Sequence, residues 1–203
     1  MKRVLLSVVA LSMLCGAAYA GGEVNAKFGI ANLSYNSVTV ADDTVKSHNI
    51  GFSLGAEYLY GFNDVFKAGA GVKYVYNDMS NDGFGFSTGQ SLLPIYAAFQ
   101  VNPLEADKNV FFKLNIGYQP LGSGGVNYVG LPVKVGDIGY NKKEGGLYWG
   151  LEAGYEFKSG VLFSASYDTY YSKCSGGVSG GSIGSTNIVN GALGVNLGYK
   201  FKM

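Results

Sequence analysis

The sequence predicts an all-β fold: an eight-stranded antiparallel up-and-down transmembrane β-barrel after a cleaved signal peptide. Three observations carry this. Apolar residues recur at every second position in eight separate segments, the period of a strand with one greasy and one polar face. The seven connections between them run 11, 4, 12, 8, 26, 3 and 16 residues, longer and shorter in turn. Such alternation is expected when short turns close one end of a barrel and long loops the other. Glycine (32) and tyrosine (16) are plentiful and only 14% of residues are charged. Ordinary domains carry roughly 25% charged residues, so this exterior is not wholly in water.

At the N-terminus, Met1-Lys-Arg3 is a positive n-region, Val4–Leu14 an apolar h-region and Ala18-Tyr-Ala20 a small-x-small cleavage site. Residues 1–20 therefore read as a secretory signal peptide, and 21–203 as one barrel domain. A lipoprotein signal needs a small residue before its cysteine, and Leu14 precedes Cys15. The mature chain then holds Cys174 alone and no intramolecular disulfide, and Cys174 reads as an incidental thiol. Taking Lys2 and Arg3 from the 15 basic residues leaves 13 against 14 acidic ones. That near-neutral balance gives no support for nucleic-acid binding.

The first strand, Val24–Tyr35, sets Val24, Ala26, Phe28 and Ile30 against Asn25, Lys27 and Gly29; its alternation slips near Asn32, as at a bulge. In the second, Ile50, Phe52, Leu54, Ala56, Tyr58 and Tyr60 oppose Gly51, Ser53, Gly55 and Glu57, and Gly61-Phe-Asn-Asp64 has the residue types of a tight turn. The third alternates Phe66, Ala68, Ala70, Val72, Tyr74 and Tyr76 with Lys67, Gly69, Gly71 and Lys73. The fourth, Gln90–Val101, contains Pro94 near one end, an awkward residue because proline removes a ladder donor. Phe112, Leu114, Ile116 and Tyr118 mark the fifth strand, and Leu147, Trp149, Leu151, Ala153, Tyr155 and Phe157 the sixth. The seventh sets Val161, Phe163, Ala165, Tyr167 and Tyr171 against Ser164, Ser166, Asp168 and Tyr170. The last, Val189–Phe201, carries Tyr199 and Phe201 at the end of its greasy face and Asn196 and Lys200 on the other. Ser37–Ser47, Asp78–Gly89, Pro120–Gly145 and Ser172–Asn187 read as long polar loops.

Period two alone does not say which face is outside. A soluble lipocalin-like barrel would bury its greasy face around a ligand. Against this, the greasy face collects Tyr and Phe towards strand ends, as an aromatic girdle does. The polar face is rich in Gly, Ser and Ala, as a narrow eight-stranded lumen requires. The inward face also gathers Lys27, Lys67, Lys73, Lys113 and Lys200 with Glu57, Glu152, Glu156 and Asp168. In a narrow lumen such charges must pair, because an isolated buried charge is costly. A salt-bridged plug is the expectation, and a polar conduit the competing one.

The signal peptide, the Pro94-Ile-Tyr strand, Phe112-Lys-Leu-Asn-Ile-Gly-Tyr118 and Leu197-Gly-Tyr-Lys-Phe201 together resemble the small Gram-negative outer-membrane β-barrel domain family, the class of the OmpA barrel, OmpX and OmpW. The resemblance implies a monomer in the cell outer membrane, both termini periplasmic, in contact with lipids and lipopolysaccharide. It also implies recognition of the terminal strand by the outer-membrane assembly machinery, here with Lys202-Met203 following Phe201. No cofactor is expected. The leading functional expectation is a non-enzymatic structural or surface-interaction protein. Its ligand would meet the extracellular loops, led by Pro120–Gly145 with Tyr128, Leu131 and Tyr140. Resemblance to OmpW offers a narrow channel for small hydrophobic molecules as the alternative. A lipid-modifying enzyme would need a His beside a Ser nucleophile. The single histidine, His48 in Ser47-His-Asn49, lacks the His-x-Ser-Asn arrangement of the lipid A deacylases and reads as a rim residue.

Overall fold

A computed structural model describes residues 22–40, 43–45, 49–81, 86–103, 109–120, 122–123, 127–128, 139–178 and 181–202. The signal-peptide segment, Leu131 and His48 lie outside them. The strands among the described residues are β1 (Glu23–Val40), β2 (Asp43–Val45), β3 (Asn49–Gly61), β4 (Phe66–Asn81), β5 (Phe86–Leu92), β6 (Ile95–Val101), β7 (Val110–Gln119), β8 (Gly122–Ser123), β9 (Asn127–Tyr128), β10 (Gly139–Glu144), β11 (Gly146–Glu156), β12 (Val161–Val178) and β13 (Gly181–Lys202).

Eight of them close a ring. β1 pairs with β3, then β4, β6, β7, β11, β12 and β13 follow in order, and β13 returns to β1, each pair antiparallel. A closed ring leaves no unpaired backbone edge in the spanning region, which lipid does not tolerate. The last strand is thus the closing strand, paired with the first from Glu23–Lys202 to Ser37–Val189. Its register shifts between Leu33 and Tyr35, where the sequence alternation slips.

Facing directions follow the predicted parity. Leu151 is 52% and Leu197 58% exposed, whereas their neighbours Glu152 and Asn196 are each 5% exposed. The greasy face is outside. Aromatic pairs crowd the end with short turns: Tyr60–Phe62, Tyr155–Phe157 and Tyr199–Phe201 approach to 5.4, 5.0 and 4.9 Å between ring centres. Rings with an apolar body and a polar tip suit a membrane–water boundary. The turn after β3 is held by Asn63 Oδ1, which accepts from the amides of Val65 (2.8 Å) and Phe66 (2.7 Å). The turn before β12 uses Gly160 at φ +90°, a conformation that favours glycine.

Two expectations need correction. The stave read as Gln90–Val101 is broken at Leu93-Pro94, because Pro94 has no amide to donate; its carbonyl still accepts from Lys73 N at 3.1 Å. The long polar loops are also substantially strand. β1 continues to Val40 against β2, β4 reaches Asn81 opposite Phe86 of β5, and β12 runs to Val178 opposite Gly181 of β13. Cys174 lies in this extension, in register with Thr186 and Lys143. Within Pro120–Gly145 the short strands β8, β9 and β10 carry Tyr128 and Tyr140. Outside the lipid band a ladder needs only its backbone partners, so Ser and Gly continue it without hydrophobic alternation.

Candidate functional site

The lumen collects the chain's buried chemistry. Inward side chains come from every stave of the ring, and small residues make room for large ones. A Cβ added at Gly71 would lie 2.7 Å from the Tyr96 ring and 2.8 Å from Glu57 Cγ, so the absence of a side chain there lets Tyr96 cross the lumen. The charges fall into three groups along the strands.

The central group is a quartet. Lys27 Nζ on β1 donates to Glu57 Oε1 at 3.0 Å and to both Glu152 oxygens at 2.8 Å. Lys113 Nζ on β7 donates to Glu57 Oε2 at 2.7 Å and lies 3.5 Å from Glu152 Oε2. The remaining lone pairs find neutral donors: Tyr96 Oη bonds Glu57 at 2.9 Å and Ser164 Oγ bonds Glu152 at 2.6 Å. Two ammoniums and two carboxylates cancel. Only such a fully hydrogen-bonded arrangement offsets the desolvation of buried ions.

Towards the loop end, Lys73 Nζ on β4 meets Asp168 Oδ2 on β12 at 2.6 Å. These staves are four steps apart in a ring of eight, so the pair spans the full diameter. Tyr148 Oη donates to Asp168 Oδ1 at 2.7 Å, and Tyr148 lies between Tyr96 and Tyr170, with ring centres 5.3 and 5.2 Å away. Buried Val75, Leu92, Ala31 and Ala192 pack with this tyrosine column and form an apolar layer. Towards the turn end, Lys67 binds Glu23 at 2.9 Å and Glu156 at 3.9 Å. Lys200 pairs with Glu156 and lies 3.7 Å from Glu23. Phe111 is buried between this group and the quartet, with Lys113 Nζ 5.1 Å from its ring centre.

The structure therefore brings Lys27, Glu57, Lys67, Lys73, Lys113, Glu152, Glu156, Asp168 and Lys200 into the lumen, each in an ion pair. Sequence reasoning missed Glu23, the fifth acid, which balances the five lysines. Its signal was parity: Glu23 immediately precedes outward Val24. Tyr96 was also missed as a partner, although it sits between outward Ile95 and Ala97. Among the described residues, ion pairs, Tyr96 and small polar side chains line a gap of about 10 Å³ in the lumen. A space of ~10–15 Å³ holds at most about one water. Among the described residues, side chains from all eight staves fill the centre of the lumen.

Residues 6–201 match the family model described as outer membrane protein beta-barrel domain. No curated protein sequence matches the chain. Among solved structures, the fold is similar to Ail, the attachment invasion locus protein of Yersinia pestis, at 14% identity and TM-score 0.52, covering 89% of this chain and 99% of that one. It is also similar to OprG from Pseudomonas aeruginosa, at 14% identity and TM-score 0.51, covering 91% and 98%.

Proposed function

Because the chain belongs to the outer membrane protein β-barrel domain family, we propose that it is a closed, non-enzymatic, monomeric barrel of the bacterial outer membrane. Its role is structural, and its specific contacts are made at the loop end. Both termini face the periplasm, which puts the extended hairpins outside the cell. Lipid and lipopolysaccharide surround the apolar belt, and the assembly machinery meets the closing strand at Leu197–Phe201. The observation that supports the reading is the packing of the lumen: ten mutually paired charges surround a gap of about 10 Å³ among the described residues, too small for a solute. Loops on a rigid scaffold are the usual place for recognition. The Ail barrel was crystallised with the heparin analogue sucrose octasulfate, which supports an external ligand on a barrel of this build.

Planar-bilayer recording tests it directly. The refolded protein is expected to give no discrete conductance steps. Discrete steps that disappear in Lys67→Ala or Glu152→Gln would replace the plugged barrel with a channel.

One observation favours a second reading, a narrow channel for small hydrophobic molecules. The strand ladder is interrupted at Leu93-Pro94, Pro120 and Gly145, which stand at one level on three adjoining staves. Neither proline has an amide to donate. A hydrophobic solute would use this seam in the wall rather than the charged axis. Uptake of an apolar probe into vesicles carrying the protein, reduced by a disulfide across the seam, is the observation that would promote it.

A further inference from the structure

The gap of about 10 Å³ lies between the central quartet and the Lys73–Asp168 pair. Its wall includes Asn115, Tyr96, Glu57, Lys73 and Asp168, with Gly55 beside them. Asn115 is only 4% exposed, and no donor among the described residues reaches its Oδ1. A buried amide oxygen without a donor is uncommon in folded proteins. A gap of water size and an unpartnered acceptor on its wall are independent observations, and they coincide here.

We propose that this gap is a binding site for one water molecule, held by Asn115 Oδ1 between the two ion-pair groups. The size excludes every organic solute. Three carboxylates on the wall (Glu57, Glu152 and Asp168) oppose an anion, and the ammoniums of Lys27 and Lys73 oppose a metal cation. Water satisfies both kinds of neighbour. It donates one hydrogen to Asn115 Oδ1 and the other to a carboxylate, and accepts from Lys73. A buried water ordinarily makes two to four such bonds. The molecule adds a second link between the diametric Lys73–Asp168 pair and the quartet, beside the chain of hydrogen bonds that runs from Glu152 through Ser164, Asn196 and Ser166 to Asp168. This assignment is independent of what the loops recognise.

A crystal structure at a resolution that shows ordered solvent, together with two variants, tests it. In the wild type a single peak is expected within hydrogen-bond distance of Asn115 Oδ1. Gly55→Ala is expected to fold. The nearest neighbours of a Cβ there would be the Val72 carbonyl at 3.5 Å and Lys73 side-chain carbons at 3.8 and 4.0 Å, which are ordinary contacts. Its methyl group takes the water's space, so the peak disappears and the urea midpoint falls, because Asn115 then has no donor. Asn115→Leu removes the acceptor, so its peak disappears without the same fall. The proposal is overturned by a gap with no peak in the wild type, or by Gly55→Ala leaving both peak and midpoint unchanged. A rubidium anomalous signal at the gap, or a file of waters running the length of the lumen, overturns it as well.

Discussion

Replacing Lys113 by Met removes one ammonium from the quartet and leaves the volume of its stem. Lys113 and Glu57 side chains are each 1% exposed and 2.7 Å apart, and Glu152 lies 3.5 Å away. At an effective dielectric constant of ~20, the shorter pair is attracted by about 6 kcal/mol, most of it offset by the desolvation of both ions. The variant keeps the desolvated carboxylates and loses the attraction, so Glu57 and Glu152 are left to share Lys27. Removing one partner of a buried pair costs about 3–5 kcal/mol, and that is the loss expected here. Adding Glu57→Gln restores the balance at one ammonium and one carboxylate, and Tyr96 Oη keeps an acceptor at position 57. The double variant is therefore expected to be more stable than Lys113→Met alone, by about 1–3 kcal/mol, within the range of coupling between contacting residues. Urea unfolding in lipid vesicles measures both, followed by the fluorescence of Trp149, the only tryptophan, and by heat-modifiable gel migration. A loss under about 1 kcal/mol for Lys113→Met, with the double variant at the sum of the two singles, would refute the claim that the quartet is a desolvated, interdependent unit.

Two further outcomes follow from the same geometry. Gly71→Val places a side chain where Tyr96 passes, at 2.7 Å from its ring, and is expected to cost about 1–3 kcal/mol by overpacking; equilibrium urea unfolding reads it, and a neutral result would mean that Tyr96 has another place to go. Leu151→Arg puts a charge on the lipid face of β11, where Leu151 is 52% exposed, and is expected to cost about 2–4 kcal/mol near the bilayer midplane. In detergent micelles, where the head groups are within easier reach, that penalty should shrink.

Much of the fold was legible because the bilayer is a uniform solvent. Every stave must show lipid an apolar residue at alternate positions, so Phe28, Leu54, Phe99, Ile116, Leu151 and Leu197 announce their direction without reference to any partner. Pro94 was legible as an irregularity but not as a break, since its effect depends on which amide the neighbouring staves need. The polar stretches after Tyr35, Tyr76 and Tyr171 were illegible as strand for the opposite reason. Beyond the lipid, both faces of a ladder meet water and period two has nothing to report. At the interior, parity picked out the charged residues one by one, and Glu23 escaped because the first strand was started one residue late.

What the sequence by itself determined is therefore local and directional: eight apolar stripes, the direction of each side chain, and the overall charge of the inward face. The tertiary structure alone decided the partnerships. Lys73 with Asp168, Lys27 with Glu152 and Lys113 with Glu57 join staves three or four places apart in the ring. Which residues meet there depends on the tilt and stagger with which the sheet closes, a property of all eight staves together. Closure also decided how much space the inward side chains share, because the diameter is set by strand number and tilt, and the buried rings of Tyr96, Tyr148 and Tyr170 occupy part of it.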